Sequence, residues 1–343
     1  MTQQPDQDNR FRAPRNRTLV LDNADRTRLK ARLRTALPQR PLSHPIEGVA
    51  HGNFADWAAH LPSQFADLLF LDPPYNLDKS FNGLQFTRKD ASDYTRWLDG
   101  VLCQVKRLLR PTATIYICGD WLSSHSIFEA ASKHFIVRNR ITWEREKGRG
   151  ANSNWKNTSE DIWFCTMSDE YYFNANTVKL RRRVIAPYTA SDGSPKDWVK
   201  TDDERFRNTH PSNLWTDISV PFWSMPENTD HPTQKSEKLL AKLLLASSRP
   251  NDFILDPFLG SGTSAVVAKK LGRRYLGIEL DEDYCLLALR RLEKAECDPS
   301  IQGYADGVFW ERNTSVYQRR TGGQASGRRK TPMSPNSPLL LFE

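Results

Sequence analysis

The chain has few cysteines, and no two of them lie close together. It contains five cysteines, most of them within apolar runs: Cys103, Cys118, Cys165, Cys285 and Cys297. No pair has the short spacing of a zinc site, and an unpaired cysteine in an apolar run behaves as a small hydrophobic residue. The sequence therefore predicts a protein that requires no metal and works in a reducing compartment.

Long apolar runs are also missing. No stretch reaches the roughly 20 apolar residues that cross a bilayer, and the N-terminus is polar, without the apolar core of a signal peptide. These two absences predict a cytoplasmic protein with no membrane partner.

Positive charge is concentrated at the two ends of the chain. The net charge is +8, yet residues 1–45 hold ten Lys or Arg against four Asp or Glu, and residues 311–343 hold six against two. Both ends are polar and poor in aromatic residues, which predicts a largely disordered basic arm and a disordered basic tail. A short helix between Leu19 and Leu37 is compatible with the arm. Basic arms add affinity for phosphate whatever the sequence of the nucleic acid; the alternative for the tail is a solubilising role alone.

Residues 46–310 have the pattern of one α/β domain. Asp93 to Arg110 places its apolar residues on one helical face, Pro111 ends that helix, and Thr114 to Cys118 follows as a strand. Strands and helices continue to alternate along the chain. This alternation predicts a doubly wound, mostly parallel sheet with helices on both faces and an antiparallel strand at its edge.

The first candidate site is the tetrapeptide Asp72-Pro73-Pro74-Tyr75. It follows Leu68 to Leu71, an apolar run typical of a buried parallel strand that the two prolines end. Ligands of open α/β sheets bind at this edge of the strands. A carboxylate, a rigid carbonyl and an aromatic ring suit an extruded base, because the two oxygens can accept its amino hydrogens while the ring covers its face. The alternative is that the prolines only end the strand and Tyr75 packs in the core.

The second candidate site is a glycine turn between a strand and a helix. The strand ends at Asp256, and Gly260 and Gly262 in the turn let a ligand approach the backbone without a Cβ in the way. The next strand ends at Glu279, about 20 residues beyond the turn, where such sheets hold a ribose. For Glu279 the alternative is an ordinary surface acid at a strand end.

The motifs occur in an order that resembles the β-class amino-methyltransferases of DNA. DPPY at Asp72 to Tyr75 comes first, HPTQK at His231 to Lys235 second, and DPFLGSGT at Asp256 to Thr263 third. The longer match DPPYNL, Asp72 to Leu77, is similar to the adenine-specific branch. The resemblance runs from Glu47 to Cys297. It implies a Rossmann-like methyltransferase sheet with permuted strand order and S-adenosylmethionine as the methyl donor.

The same resemblance implies a role for individual residues on the donor side. The donor contacts it implies are Asp256, Phe258, Gly260 and Gly262 at the turn, Lys235 at the methionine end, and Glu279 at the ribose hydroxyls. It also brings Asp72 near the sulfonium, so that this carboxylate has a shared role.

On the base side, we expect Asp72 and the Pro73 carbonyl to accept the amino hydrogens while Tyr75 stacks on the flipped base. The neighbouring Pro74 and Asn76 are expected to contact the substrate. No Pro-Cys dipeptide occurs, whereas methylation of a cytosine ring carbon resembles a family that requires one.

Residues 178–228 are predicted to be a target-recognition insertion. They hold Arg181-Arg182-Arg183, many prolines and three tryptophans, but no clear periodicity. About fifty such residues within a compact domain are typical of a functional insertion. The polar segment 146–157 around Trp155 is a second candidate for DNA contacts. The alternative for both is a structural flap whose tryptophans pack on the sheet.

The sequence thus predicts a site-specific adenine methyltransferase of bacterial or phage type that acts on double-stranded DNA by base flipping. A cognate restriction endonuclease, a solitary role and a homodimer all remain open. One alternative is methylation of the exocyclic amine of cytosine, which fits the same two acceptors. The alternative from another class is a donor-binding DNA-recognition subunit that is active only with a partner.

Overall fold

The computed structural model describes residues 14–81, 84–145, 152–184, 188–194, 196, 198–200 and 205–312. The disorder predicted for residues 1–13 and 313–343 lies outside these residues, as does the first half of the polar segment 146–157. The strands are β1 (Gly48–His51), β2 (Ala66–Leu71), β3 (Lys79–Phe81), β4 (Leu84–Phe86), β5 (Leu109–Gly119), β6 (Ile136–Glu144), β7 (Ser159–Thr166), β8 (Leu180–Arg183), β9 (Val199–Lys200), β10 (Arg205–Thr209), β11 (Leu214–Trp215), β12 (Phe253–Asp256), β13 (Arg274–Glu279), β14 (Tyr304–Ala305) and β15 (Val308–Trp310). The α-helices are α1 (Asn23–Lys30), α2 (Phe54–His60), α3 (Ala91–Leu108), α4 (Ser124–His134), α5 (Glu237–Ser247), α6 (Thr263–Lys270) and α7 (Glu282–Cys297).

The main sheet has eight strands in the order β1-β13-β12-β2-β5-β7-β6-β11. Neighbouring strands are parallel except at β7, which runs antiparallel to both β5 and β6. The antiparallel strand therefore lies inside the sheet, and the expectation that it would form an edge is corrected. The edge position is taken by the two-residue strand β11, which pairs parallel to β6.

Apolar residues on both sides of the strands explain why helices cover both faces. Along β2, Leu69 and Leu71 pack in a cluster with α2, α3 and α4, whereas Leu68 and Phe70 pack in a second cluster with α5 and α6. Successive side chains of a strand point to opposite faces, so an unbroken apolar run requires burial on both. The predicted doubly wound, mostly parallel fold is confirmed.

The N-terminal arm departs from the expected disorder from residue 14 onward. Helix α1 packs against α7, with Leu29 fully buried and Leu33 nearly so. Basic residues of α1 and of the turn after it form ion pairs with acidic residues of α7: Arg26 with Asp283, Arg28 and Arg32 with Glu293, and Lys30 with Glu282. The polar composition concealed this arrangement because the arm supplies only two buried leucines to the interface, and the acids of α7 that pair with its basic residues lie more than 250 residues away.

The segment that follows β7 is more regular than its sequence suggests. Strands β8, β9 and β10 join β14 and β15 in a second sheet with the order β14-β15-β8-β10-β9. Phe206, Val308 and Trp310 form a small apolar cluster on this sheet. Short strands of two to five residues leave little periodicity, and part of the sheet comes from the far end of the domain.

Candidate active site

Three parallel strands bring their acidic ends to one edge of the main sheet. Strand β12 pairs with β2 on one side and with β13 on the other, so Asp72, Asp256 and Glu279 follow or end neighbouring strands. A cavity of about 590 Å³ opens at this edge and is lined by all three. The DPPY tetrapeptide, the HPTQK turn and the glycine turn, far apart in sequence, all contribute to its wall.

Lys235 connects the HPTQK turn to the DPPY tetrapeptide. Its ammonium donates to both carboxylate oxygens of Asp72, with Nζ–Oδ1 and Nζ–Oδ2 distances of 2.8 and 2.7 Å, and lies 3.1 Å from the hydroxyl of Tyr75. That hydroxyl in turn donates to Asp72 Oδ1 at 3.1 Å. The ring of Tyr75 packs against the apolar cluster beside α5.

Glu160 completes this cluster and was missed by the sequence reasoning. It lies at the start of β7, with its carboxylate 3.4 Å from Lys235 Nζ and 3.3 Å from the Tyr75 hydroxyl. Its other oxygen is paired with Arg145. A signal was present, since an acid precedes an apolar strand here. This acid can be assigned to the site only when β7 is known to run antiparallel. In that direction the first residues of β7 lie at the edge of the sheet where β2 ends.

Ion pairs with Asp72 and Glu160 keep the buried ammonium of Lys235 charged. Only 5% of the residue is exposed, and burial alone would lower the pKa of its ammonium. The carboxylates of Asp72 and Glu160 outweigh burial and raise that pKa above its usual value. Burial, followed by the charges of Asp72 and Glu160, raises the pKa of Tyr75 well above its usual value, so the phenol remains a hydrogen-bond donor.

The glycine turn is held by the two other carboxylates. Asp256 accepts from the backbone N–H of Phe258 at 3.0 Å and from the hydroxyl of Ser264. Glu279 accepts from the backbone N–H of Gly260 at 2.7 Å. Burial raises the pKa of Asp256 to about 7, and it also raises the pKa of Glu279.

Two expected site residues do not line the cavity. The Asn76 side-chain amide donates to the carbonyl of Lys89 and accepts from its N–H, which fastens the loop after the tetrapeptide. Gly262 faces α7, where an added Cβ would lie 2.5 Å from the Cβ of Ala288. Its lack of a side chain is therefore required for helix packing rather than for approach of a ligand.

The other expected residues do border the cavity. They are Asp72, Pro73, Pro74, Tyr75, Lys235, Asp256, Phe258, Gly260 and Glu279. The sequence assigned no individual role to Trp97 of α3, whose ring contacts Phe258. It assigned none to Tyr284 or to His231 of the HPTQK motif, whose rings contact each other edge to face beside Gly260. These three rings add aromatic surface to the cavity wall beside the carboxylates.

Comparison with known proteins agrees with this geometry. Residues 66–290 match the family model described as DNA methylase, which covers the N6 and N4 methyltransferases. The chain belongs to this family. It is therefore an S-adenosylmethionine-dependent DNA methyltransferase, as the motif order predicted.

Relatives of this DNA methylase span most of its length. It is 29% identical to the DNA adenine methyltransferase YhdJ of Escherichia coli (strain K12) over 89% of this chain and 99% of the relative. It is 28% identical to the type II methyltransferase M.BglII of Bacillus subtilis over 74% of this chain and 70% of that protein. The solved PvuII DNA methyltransferase (cytosine-N4-specific) has the same fold, with a TM-score of 0.55 and 13% identity over 75% of this chain and 90% of that one.

The residues of the cavity fit S-adenosylmethionine. The donor carries ribose hydroxyls and a cation, and the cavity offers the carboxylates of Glu279, Asp256 and Asp72, of which Asp256 is buried. At Gly260 the φ is +54°, and an added Cβ would lie 3.0 Å from His231 Nε2. A side chain at this position would therefore be strained and would meet His231 at the cavity wall. Asp256, Phe258, Gly260 and Glu279 are the residues that would hold the donor.

The described residues contain no group of three or more His, Cys, Asp or Glu side chains that could hold a metal ion. Within the same residues, no helix is long and apolar enough to span a membrane.

Proposed function

We propose that this DNA methylase transfers a methyl group from S-adenosylmethionine to the exocyclic amine of adenine in double-stranded DNA, after extrusion of the base from the helix. The observation that carries the proposal is the position of the DPPY tetrapeptide on the same cavity as the glycine turn and Glu279. The names of the relatives, one a DNA adenine methyltransferase, favour adenine over cytosine.

The chain's own residues account for activation of a weak nucleophile. The lone pair of an adenine amine is delocalised into the ring. Acceptance of its two N–H hydrogens by Asp72 Oδ and the Pro73 carbonyl favours charge on the nitrogen and directs the lone pair towards the donor side of the cavity. Tyr75 presents the ring on which the base stacks. When bound, S-adenosylmethionine would supply the methyl group of its sulfonium, with the sulfur leaving as a neutral thioether in line with the attacking nitrogen. Alignment of the amine by these residues is therefore the main contribution of the protein.

The second sheet is the proposed reader of the DNA sequence. Residues 178–228 form most of it, and Arg183, Arg205 and Arg207 expose their side chains there. The half-exposed indole of Trp223 lies on the same segment. Arginine fits the acceptors of guanine in the major groove, and aromatic side chains can enter base steps. This sheet lies within residues 46–310, which form the methyltransferase domain.

The wider setting belongs to the same proposal. The enzyme acts in the cytoplasm on chromosomal or phage DNA, either beside a cognate restriction endonuclease or alone. Two relatives of the chain are named type II methyltransferases, which supports the proposal of a cognate endonuclease.

Expression in a bacterial host without its own adenine methylation tests the proposal. We expect sequencing with a readout that separates methyladenine from methylcytosine to find methyladenine at one short sequence. The Asp72→Ala variant should lose about 100- to 1000-fold in rate, because an oriented acceptor is removed. It should still fold, at a lower melting temperature, because Glu160 remains beside Lys235 but one negative charge of the group is lost; a thermal melt checks this. Methylcytosine in place of methyladenine, or near-normal transfer by folded Asp72→Ala, would contradict the proposal.

A further inference from the structure

We infer that Glu160 is a positioning residue that takes the ammonium of Lys235 from Asp72 when the target amine enters. This inference rests on the proposed function, in which Asp72 accepts a hydrogen from that amine. It adds a residue and a rearrangement that the motifs do not contain.

The arrangement seen here leaves Asp72 occupied. Both of its oxygens accept from Lys235, and Oδ1 also accepts from the hydroxyl of Tyr75. An amine that arrives at this carboxylate must compete with a full positive charge at 2.7 to 2.8 Å. Hydrogen bonds between charged partners are about twice as strong as those between neutral ones. The ammonium must therefore withdraw, at least in part, before Asp72 can serve the amine.

Glu160 offers the withdrawn ammonium a place at small cost. Glu160 Oε2 already lies 3.4 Å from Lys235 Nζ, so a shift of less than 1 Å would turn this ion pair into a direct hydrogen bond. The carboxylate is only 3% exposed, and Arg145 holds its other oxygen from the far side. The ammonium would thus remain paired within the protein and would avoid the cost of an isolated buried charge.

The hydroxyl of Tyr75 can follow the same change. It lies 3.1 Å from Asp72 Oδ1 and 3.3 Å from Glu160 Oε2, and it has a single proton to donate. Rotation of this hydroxyl towards Glu160 would free Oδ1 without moving the ring that stacks on the base. Two carboxylates, an ammonium and a phenol therefore form a unit with two arrangements, one of which exposes Asp72.

A double-mutant cycle between Glu160→Gln and Lys235→Met tests this inference. The measurement is kcat for methyl transfer to unmethylated phage DNA, together with the dissociation constant of S-adenosylmethionine. We expect Glu160→Gln to lower kcat in the natural background with little change in donor affinity, and to have no more than a marginal effect in the Lys235→Met background, where no ammonium needs a second place. Couplings between contacting side chains correspond to roughly 2- to 150-fold, and we expect at least tenfold here.

The neighbouring acid provides the matched control. Asp161 lies on the same strand, is also buried, and faces the other side of the sheet, where it binds Ser124 and Thr142. Asp161→Asn should leave kcat unchanged. If Glu160→Gln had no effect, or lowered kcat equally in both backgrounds, Glu160 would be only structural and the inference would be overturned.

A crystal structure decides the matter if Lys235→Met proves inactive. The complex would contain the natural enzyme, S-adenosylhomocysteine and a duplex carrying the site found by sequencing. We expect Lys235 Nζ within about 3 Å of Glu160 Oε2, with Asp72 facing the extruded amine. An ammonium still bound to both oxygens of Asp72 would overturn the inference. Failure of the proposed function would appear separately, as absence of methyladenine from DNA treated with the natural enzyme.

Discussion

Lys235 is a buried cation whose charge is retained by pairing and not by water. Its ammonium lies among two carboxylates and a phenol, and Arg145 balances the second carboxylate. Loss of one member of such a group leaves an uncompensated charge, which commonly costs about 3–5 kcal/mol. At the scale of residues, the tetrapeptide is thus part of a buried network and not an isolated acid at a strand end.

The two glycines of the turn give a prediction with an internal control. Gly260→Val should weaken the binding of S-adenosylmethionine, because a branched side chain would meet His231 and occupy space beside the backbone at the cavity wall. Gly262→Ala should instead lower the melting temperature, because the new Cβ would strike the backbone and side chain of Ala288 in α7. Calorimetric titration of the folded proteins with the donor distinguishes them. Equal donor affinity for Gly260→Val and the natural protein would assign a purely structural role to both glycines.

Single residues also show how far the sequence can be interpreted. Asp72, Asp256 and Glu279 were predictable as site residues because each ends an apolar strand and parallel strands end together. Glu160 was not, because its place depends on the direction of a strand that periodicity alone does not reveal. Gly262 and Lys235 were recognised by motif, but the partners of their atoms depend on packing between elements distant in sequence.

Among the elements, α1 shows how a charged segment can be held to a domain. Its outer face carries ion pairs with α7, and its inner face buries Leu29. The chain on either side is also fastened: Leu19 bridges to Thr229 just before the HPTQK turn, and Arg34 bridges to Ala50 in β1. The N-terminal segment therefore ties together elements that border the cavity, a role in addition to any contact with phosphate.

Two substitutions on α1 separate the apolar from the ionic contribution. Leu29→Ala should lower the free energy of unfolding by about 2–5 kcal/mol, the usual cost of removing a fully buried leucine side chain. Arg28→Met should lower it much less than Leu29→Ala does, because this ion pair is exposed to solvent and screened by salt. Urea unfolding at low and high salt measures both. A larger effect for Arg28→Met than for Leu29→Ala would mean that charge, and not the buried leucine, holds the arm in place.

Element order explains why most of the fold could be predicted but its second sheet could not. Helix α3 buries Leu98, Leu102 and Val105 at helical spacing, and the long strand β5 follows it. Strand β15 pairs with β8 across more than 120 residues of sequence, and each strand has four residues or fewer. Pairing at that distance leaves no local pattern in the amino-acid sequence.

Across the whole molecule, the distribution of charge differs from the plain count. The arm holds ten basic residues in the sequence, yet four of them, Arg26, Arg28, Lys30 and Arg32, pair with acids of α7. Ion pairs within the protein compete with phosphate for the same cations. The affinity that this arm can add for DNA is therefore smaller than its net charge of +6 suggests.

A second network of buried charge, away from the cavity, gives the molecule a pH-dependent stability. Glu227 accepts from the backbone N–H of Glu237 at 2.7 Å, and Glu237 is paired with Lys270 and Arg291. Burial, followed by the nearby Glu237 carboxylate, raises the pKa of Glu227 to about 8. The folded protein therefore binds this proton more tightly than the unfolded chain does, for which the ordinary value is 4.5.

The sign of the effect follows from that shift. The contribution of protonated Glu227 to the free energy of unfolding is fully present below about pH 4.5. It is lost as the pH rises through the folded pKa of about 8. Glu227→Gln imitates the protonated acid at every pH, and its side-chain oxygen can still accept from the backbone of Glu237. We expect the melting temperature of the variant, relative to the natural protein, to rise steadily between pH 5 and pH 8. Scanning calorimetry at four values in this range measures the difference. The raised pKa of Asp256 is common to both proteins and cancels, so two parallel curves would show that Glu227 is already ionised in the fold.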